Sequence, residues 1–133
     1  MPGMLAAGWG RVITVASTAA LRGYPYVSAY AAAKHGVVGF TRAVALEVAT
    51  RGVTVNAVCP GFTETDLLRE SVAHIVARTG RGETEARAAL AALNPQGRFI
   101  SPADVAEAVY WLCLPATNAI TGIALPISGG EVM

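Results

Sequence analysis

Two short runs of branched apolar residues, RVITVAS (Arg11 to Ser17) and VTVNAVC (Val53 to Cys59), bracket an alanine-rich stretch that runs from Ser28 to Arg51. Each run is almost continuously apolar, the pattern of a strand covered on both faces in a parallel sheet. Between them, Tyr30, Val37, Val44 and Val48 fall near helical spacing, and Gly52 stands where a helix C-cap belongs. Strand, long helix, strand is a βαβ unit, which commits the chain to an α/β architecture with parallel strands. Pro60 and Gly61 are expected to break the second strand at once.

Beyond that break, TETDLLRESVAHIVARTG and ETEARAALAAL predict two amphipathic helices joined by the flexible GRG of Gly80 to Gly82, read as a mobile insertion. SPADVAEAVYWLCLP predicts a further helix, with Ser101 as N-cap, Pro102 at the first helical position, Val105, Val109 and Leu112 on one face, and Pro115 as its stop. A last short strand, IALPIS, precedes Gly129 and Gly130. No repeat or linker divides the chain, so residues 1–133 read as one unit. Three strands are few for a parallel sheet with helices on both faces, which points to a missing part.

Hydrophobic residues make up 53% of the chain, enough for a substantial core, and charged ones 14%. A formal charge of +1 with no dense basic cluster argues against nucleic acid as a partner. No apolar run reaches the roughly 18 residues of a membrane span, and the start, MPGMLAAGWGR, lacks the basic leader and apolar centre of a secretory signal. Cys59 and Cys113 lie apart in apolar segments and read as buried free thiols, which fits a reducing cytosol. His35 and His74 show no metal-ligand spacing with them, so no metal is expected. Trp9, Tyr110 and Trp111 are expected to pack against apolar neighbours.

In open α/β sheets, ligands bind beyond the carboxyl ends of the strands. Ser17 ends the first apolar run here, and Pro60 and Gly61 follow the second. Tyr30 and Lys34, the only lysine, stand one helical turn apart on the connecting helix, about 6 Å along its axis. An ammonium about 4 Å from a phenol at an effective dielectric of 20 is worth about 4 kcal/mol, enough to bring a tyrosine from a pKa near 10 toward neutrality. Ser17 could donate to a substrate oxygen as charge develops on it. Taken singly, each feature has an ordinary reading: tyrosine and lysine four apart are a common helical coincidence, Ser17 a turn residue, and Pro-Gly a turn.

Taken together, GRVITVAS, the thirteen-residue step from Ser17 to Tyr30, YAAAK and GVTVNAVCPGFTET resemble the short-chain dehydrogenase/reductase family, above all its 3-oxoacyl-thioester and polyketide ketoreductase branches. The similarity runs from about Gly10 through ITGIALPISGGE. The resemblance implies the carboxy-terminal part of a doubly wound Rossmann-type parallel sheet that lacks the first four strands. It implies an NAD- or NADP-dependent oxidoreductase that interconverts a small-molecule carbonyl and a secondary alcohol, of 3-oxoacyl/3-hydroxyacyl type. Tyr30 would be the acid/base, Ser17 would orient and polarise the substrate oxygen, and Lys34 would lower the tyrosine pKa while holding the nicotinamide ribose. Backbone at Pro60, Gly61 and Thr63 would lie along the nicotinamide, and Thr65 would hold its carboxamide or a nearby phosphate. Residues of about 63–95 would form the substrate lid. From their place before the helix, Tyr24 and Tyr26 read equally as the border of a substrate entrance or as loop packing. Gly36 and Gly39 imply close approach of another helix, and the resemblance makes the Ser28–Arg51 helix a homo-oligomer interface.

The chain departs from the family in its first half. No glycine-rich turn follows a strand and opens a helix, and neither the residue that selects NAD or NADP nor the family's catalytic asparagine is found. The chain therefore reads as the carboxy-terminal half of a reductase, from a truncated gene, a misassigned start or a deliberate fragment. The alternative is a non-catalytic reductase remnant that serves as an oligomerisation or interaction module.

Overall fold

A computed structural model describes residues 1–133 as an α/β unit. In chain order it contains α1 (Pro2–Ala7), β1 (Gly10–Val15), α2 (Ser28–Val48), β2 (Val53–Pro60), α3 (Asp66–Thr79), α4 (Glu83–Ala91), α5 (Pro102–Cys113) and β3 (Ala124–Ile127), with one-turn 3-10 helices at Thr18–Ala20 and Pro115–Thr117. The three strands form one parallel sheet in the order β1-β2-β3. Gly10 to Val15 of β1 pair with Val53 to Val58, and Ala57 to Pro60 pair with Ala124 to Ile127.

The central strand is buried throughout, except at Pro60. Alternation sends Val53, Val55, Ala57 and Cys59 toward α2, where they meet Val38, Ala45 and Val48, and Met4 and Leu5 of α1 add to the same layer. A fully buried valine there contributes about 2 kcal/mol. Alanine along α2 keeps that helix close to the sheet. The other face carries Thr54, Asn56 and Val58 and is covered by α5, which touches all three strands. Leu112 is wholly buried there, with Val105 and Val109 partly so. Ser101 caps α5 as expected: its hydroxyl accepts from Asp104 N, while Asp104 accepts from Ser101 N. Asn56 splices the strands on this face, donating to the Ile120 carbonyl at 2.9 Å and accepting from Ile123 N at 3.2 Å. Helices α3 and α4 pack on each other through Leu68, Val72 and Ala86, with Phe62, Ile75, Leu90 and Phe99 around them.

Several expectations are corrected. The long helix ends at Val48, not Arg51, because the chain turns through Ala49 to Gly52 before entering β2. Gly52 reverses the chain at φ 71° instead of capping the helix directly. Pro60 closes β2 from within the ladder. The N–H groups of Ala57 and Gly61 face β3, so alternation points the proline nitrogen toward β1, which has already ended, and no donor is needed there. β1 is an edge strand, so only Gly10 and Arg11 are buried in it, and Val15 is 58% exposed. Trp9, Tyr110 and Trp111 are exposed, not packed. Gly36 and Gly39 face open surface with no helix of this chain against them, so the expected approach is left to a helix of another copy.

Candidate active site

The end of β1 and the start of α2 converge because the connection between them is tied at both ends. Ser17 leaves β1 in extended backbone, and its Oγ accepts from Ala19 N at 3.1 Å, capping the turn Thr18–Ala20. That bond uses a lone pair and leaves the Ser17 O–H free to donate elsewhere. Tyr30 sits in the first turn of α2 and is 42% exposed. One turn on, Lys34 reaches back across the site: its Nζ donates to the Val15 carbonyl at 3.1 Å and lies 5.7 Å from the centre of the Tyr30 ring. The ammonium is therefore fixed between the end of β1 and the phenol, two residues before Ser17, with two N–H groups left to donate. The positive end of the α2 dipole lies at the same place.

The loop after β2 is tied to itself and to β3. Gly61 N donates to the Ile127 carbonyl at 3.0 Å, Thr63 Oγ1 to the Gly61 carbonyl at 3.0 Å, and Thr65 Oγ1 to the Thr63 carbonyl at 3.2 Å. A bridge between Thr63 and Ile100 holds this loop to the approach of α5. Thr65 starts α3, but its side chain turns back into the loop instead of capping the helix.

Sequence reasoning missed Arg22 and Glu131, which together with Tyr24 fasten the tail here; loop packing was one of the two readings open to Tyr24. Tyr24 Oη donates to Glu131 Oε1, the Arg22 guanidinium lies 4.9 Å from the Tyr24 ring centre, and Arg22 Nη1 reaches the Glu131 carbonyl at 3.4 Å. Gly61 leaves room for this latch, since a Cβ there would come within 2.9 Å of Glu131 Oε2. Burial, then the hydrogen bond to Glu131, pushes the Tyr24 phenol up to about 12. Tyr26 is 98% exposed, with a left-handed backbone at φ 67°. Burial also pushes the Cys59 thiol up, opposed by a hydrogen bond with Ser17 backbone and by the Arg42 and Lys34 cations. Cys59 is buried and Cys113 half-buried, both unpaired, and no three His, Cys, Asp or Glu side chains cluster to hold a metal ion.

These residues fit one side of a dinucleotide better than the other. Lys34 retains two donors suited to a ribose diol. No glycine-rich strand-to-helix turn occurs to cradle a pyrophosphate.

The family model described as "Enoyl-(Acyl carrier protein) reductase" matches residues 1–131. The 3-oxoacyl-(acyl-carrier-protein) reductase FabG of Vibrio cholerae is 42% identical over 131 residues, covering 98% of this chain and 49% of that protein. A D-beta-hydroxybutyrate dehydrogenase of Cupriavidus necator is 39% identical over 133 residues, covering 99% and 52%. Among solved structures, an actinorhodin polyketide ketoreductase with NADPH superposes with a TM-score of 0.92 at 43% identity, over 97% of this chain and 49% of that one. The chain spans about half the length of the curated relatives it matches. With nearly the whole of its own length aligned to reductases and its fold superposed on one of them, the chain belongs to the short-chain dehydrogenase/reductase family.

Proposed function

We propose that this chain carries the proton-handling half of an NAD(P)-dependent ketoreductase acting on 3-oxoacyl or 3-hydroxyacyl compounds. The observation that carries the reading is the placement of Lys34, tied to the Val15 carbonyl beside the Tyr30 ring at the carboxyl end of β1. The names of the relatives favour the substrate class. A bound reduced nicotinamide would supply the hydride to the carbonyl carbon. The Tyr30 hydroxyl gives its proton to the carbonyl oxygen, and the Ser17 O–H donates to the same oxygen as charge grows on it. Lys34 stabilises the negative charge left on the Tyr30 oxygen and would hold the ribose of a bound cofactor. Pro60, Gly61, Thr63 and Thr65 would line the nicotinamide, and the segment of about 63–95 would close over substrate. Two unpaired thiols suit a cytosolic setting.

The test joins this chain to the amino-terminal half of a ketoreductase relative and follows nicotinamide absorbance with a 3-oxoacyl thioester. Tyr30→Phe is expected to lower turnover at least about a hundredfold, as loss of a general acid does, and Ser17→Ala to impair it severely. Lys34→Ala is expected to move the pH profile of alcohol oxidation upward. Near-normal turnover by a folded Tyr30→Phe enzyme would refute the assignment.

A second reading rests on a different observation. Phe40 and Leu46 of α2 are 59% and 82% exposed, which favours that helix as a self-association face, whether or not the chain catalyses. Phe40→Glu with Leu46→Glu is expected to lower the sedimentation coefficient. An unchanged value counts against it.

A further inference from the structure

Between the turn Thr18–Ala20 and α2 the backbone does little to support itself. The N–H groups of Gly23, Tyr24, Tyr26 and Val27 donate to no backbone carbonyl, and Pro25 has none to donate. Tyr26 is held in the left-handed region at φ 67°, a conformation that persists only where the surroundings impose it. Yet this connection carries Ser17 at one end and delivers Tyr30 to the first turn of α2 at the other.

One side chain of the stretch is tied on both sides. The Tyr24 phenol donates to Glu131 Oε1 and accepts from the hydroxyl of Thr18, which is buried next to Ser17. Glu131 stands on a firm base. Its N–H donates to the Ser128 carbonyl at 3.2 Å, and Ser128, 4% exposed, accepts from Val132 N through its Oγ at 3.3 Å. On the far side a Cβ on Gly129 would run into the amide of Asn94, itself 7% exposed, so the segment after β3 has no room to shift that way. The second carboxylate oxygen of Glu131 packs against Gly61. A poorly supported stretch therefore hangs, through one phenol, from a carboxylate that is seated on the sheet.

We infer that Glu131 is a positioning residue: through Tyr24 and Thr18 it holds the connection that sets Ser17 against Tyr30. The inference rests on the ketoreductase reading for its catalytic meaning, while the anchoring is measurable without substrate. Glu131 serves as a hydrogen-bond acceptor, so a glutamine carbonyl in its place keeps the anchor and an alanine removes it.

The test follows hydrogen exchange at Ala19, Ala20, Leu21 and Arg22 in the 15N-labelled chain, since these amides donate to Ser17 Oγ, the Ser17 carbonyl and the Thr18 carbonyl. Glu131→Ala is expected to speed their exchange about tenfold and Glu131→Gln to leave it within about twofold of the wild type. Ser101→Ala, which loosens the cap of α5, is the reference for a general loss of stability and is expected to leave the four amides behind. If Glu131→Ala does not fold, Tyr24→Phe breaks the same bond from its other side and carries the test. Unchanged exchange overturns the proposal, and so does equal acceleration by Ser101→Ala, which would make Glu131 a general stabiliser. In the protein joined to an amino-terminal half, Glu131→Ala is expected to lower kcat about tenfold at a nearly unchanged KM, with Glu131→Gln restoring it. Unchanged kcat overturns the positioning role. A joined wild type without Tyr30-dependent turnover would instead overturn the ketoreductase reading, and the exchange rates would still decide the anchoring.

Discussion

The Tyr24 phenol makes a claim that can be tested without any substrate. Its ordinary value of 10.0 rises to about 12 in the folded chain, first through burial and then through the bond it donates to Glu131. Below pH 10 folded and unfolded chains both hold the proton, and the stabilisation is fully present. Between pH 10 and about 12 the unfolded chain ionises while the folded one does not, so the stabilisation is lost as pH rises. The denaturant midpoint of the wild type should therefore exceed that of Tyr24→Phe below pH 10, and the gap should close toward pH 12. A gap independent of pH would show that the phenol is not held as described. Nothing local in the sequence announces this bond, because 107 positions separate its partners. The approach of Lys34 to Tyr30 was legible for the opposite reason: helical spacing is a local property, and it brings the two together without long-range information.

Elements were legible where a run carries its own period and its own stop signals. The helix from Ser28 and the strand from Val53 begin where expected, and α5 carries its cap and its proline stop in sequence. What the runs do not encode is how much of each face is covered, so β1 has the composition of a buried strand and the exposure of an edge. The cap of α5 supplies an acid-side prediction. The Ser101 backbone N–H, then Arg98, pulls Asp104 down to about 2 from 3.8. The stability this contributes is present above pH 3.8 and lost as pH falls to about 2, so Asp104→Ala should flatten the fall in urea midpoint over that interval. Ser101→Ala should cost about 1 kcal/mol at neutral pH. At the turn into β2, Gly52 has φ 71°, and a Cβ there would lie 2.0 Å from the Gly8 carbonyl oxygen. Gly52→Ala should destabilise by about 2 kcal/mol or more, read as a shift in urea midpoint with an unchanged slope.

For the molecule as a whole, the free side of β1 dominates. Its outward backbone groups have no strand to pair with, and Val15 lies exposed beside them. The isolated chain should sediment as dimers or larger species at micromolar concentration, and Val15→Lys should reduce them. A clean wild-type monomer would count against this. Spatial order in the sheet repeats chain order, β1-β2-β3, so no strand slots between two that were made earlier. During synthesis each strand after the first emerges to find a neighbour already made, and the sheet can grow by accretion, with no rearrangement of what has set. The same topology leaves an open edge on each side of the sheet, and the one along β1, where Val15 lies exposed, is a seam at which this chain and a complementary sheet could be cut apart and rejoined like two boards, which suits it to a split reporter.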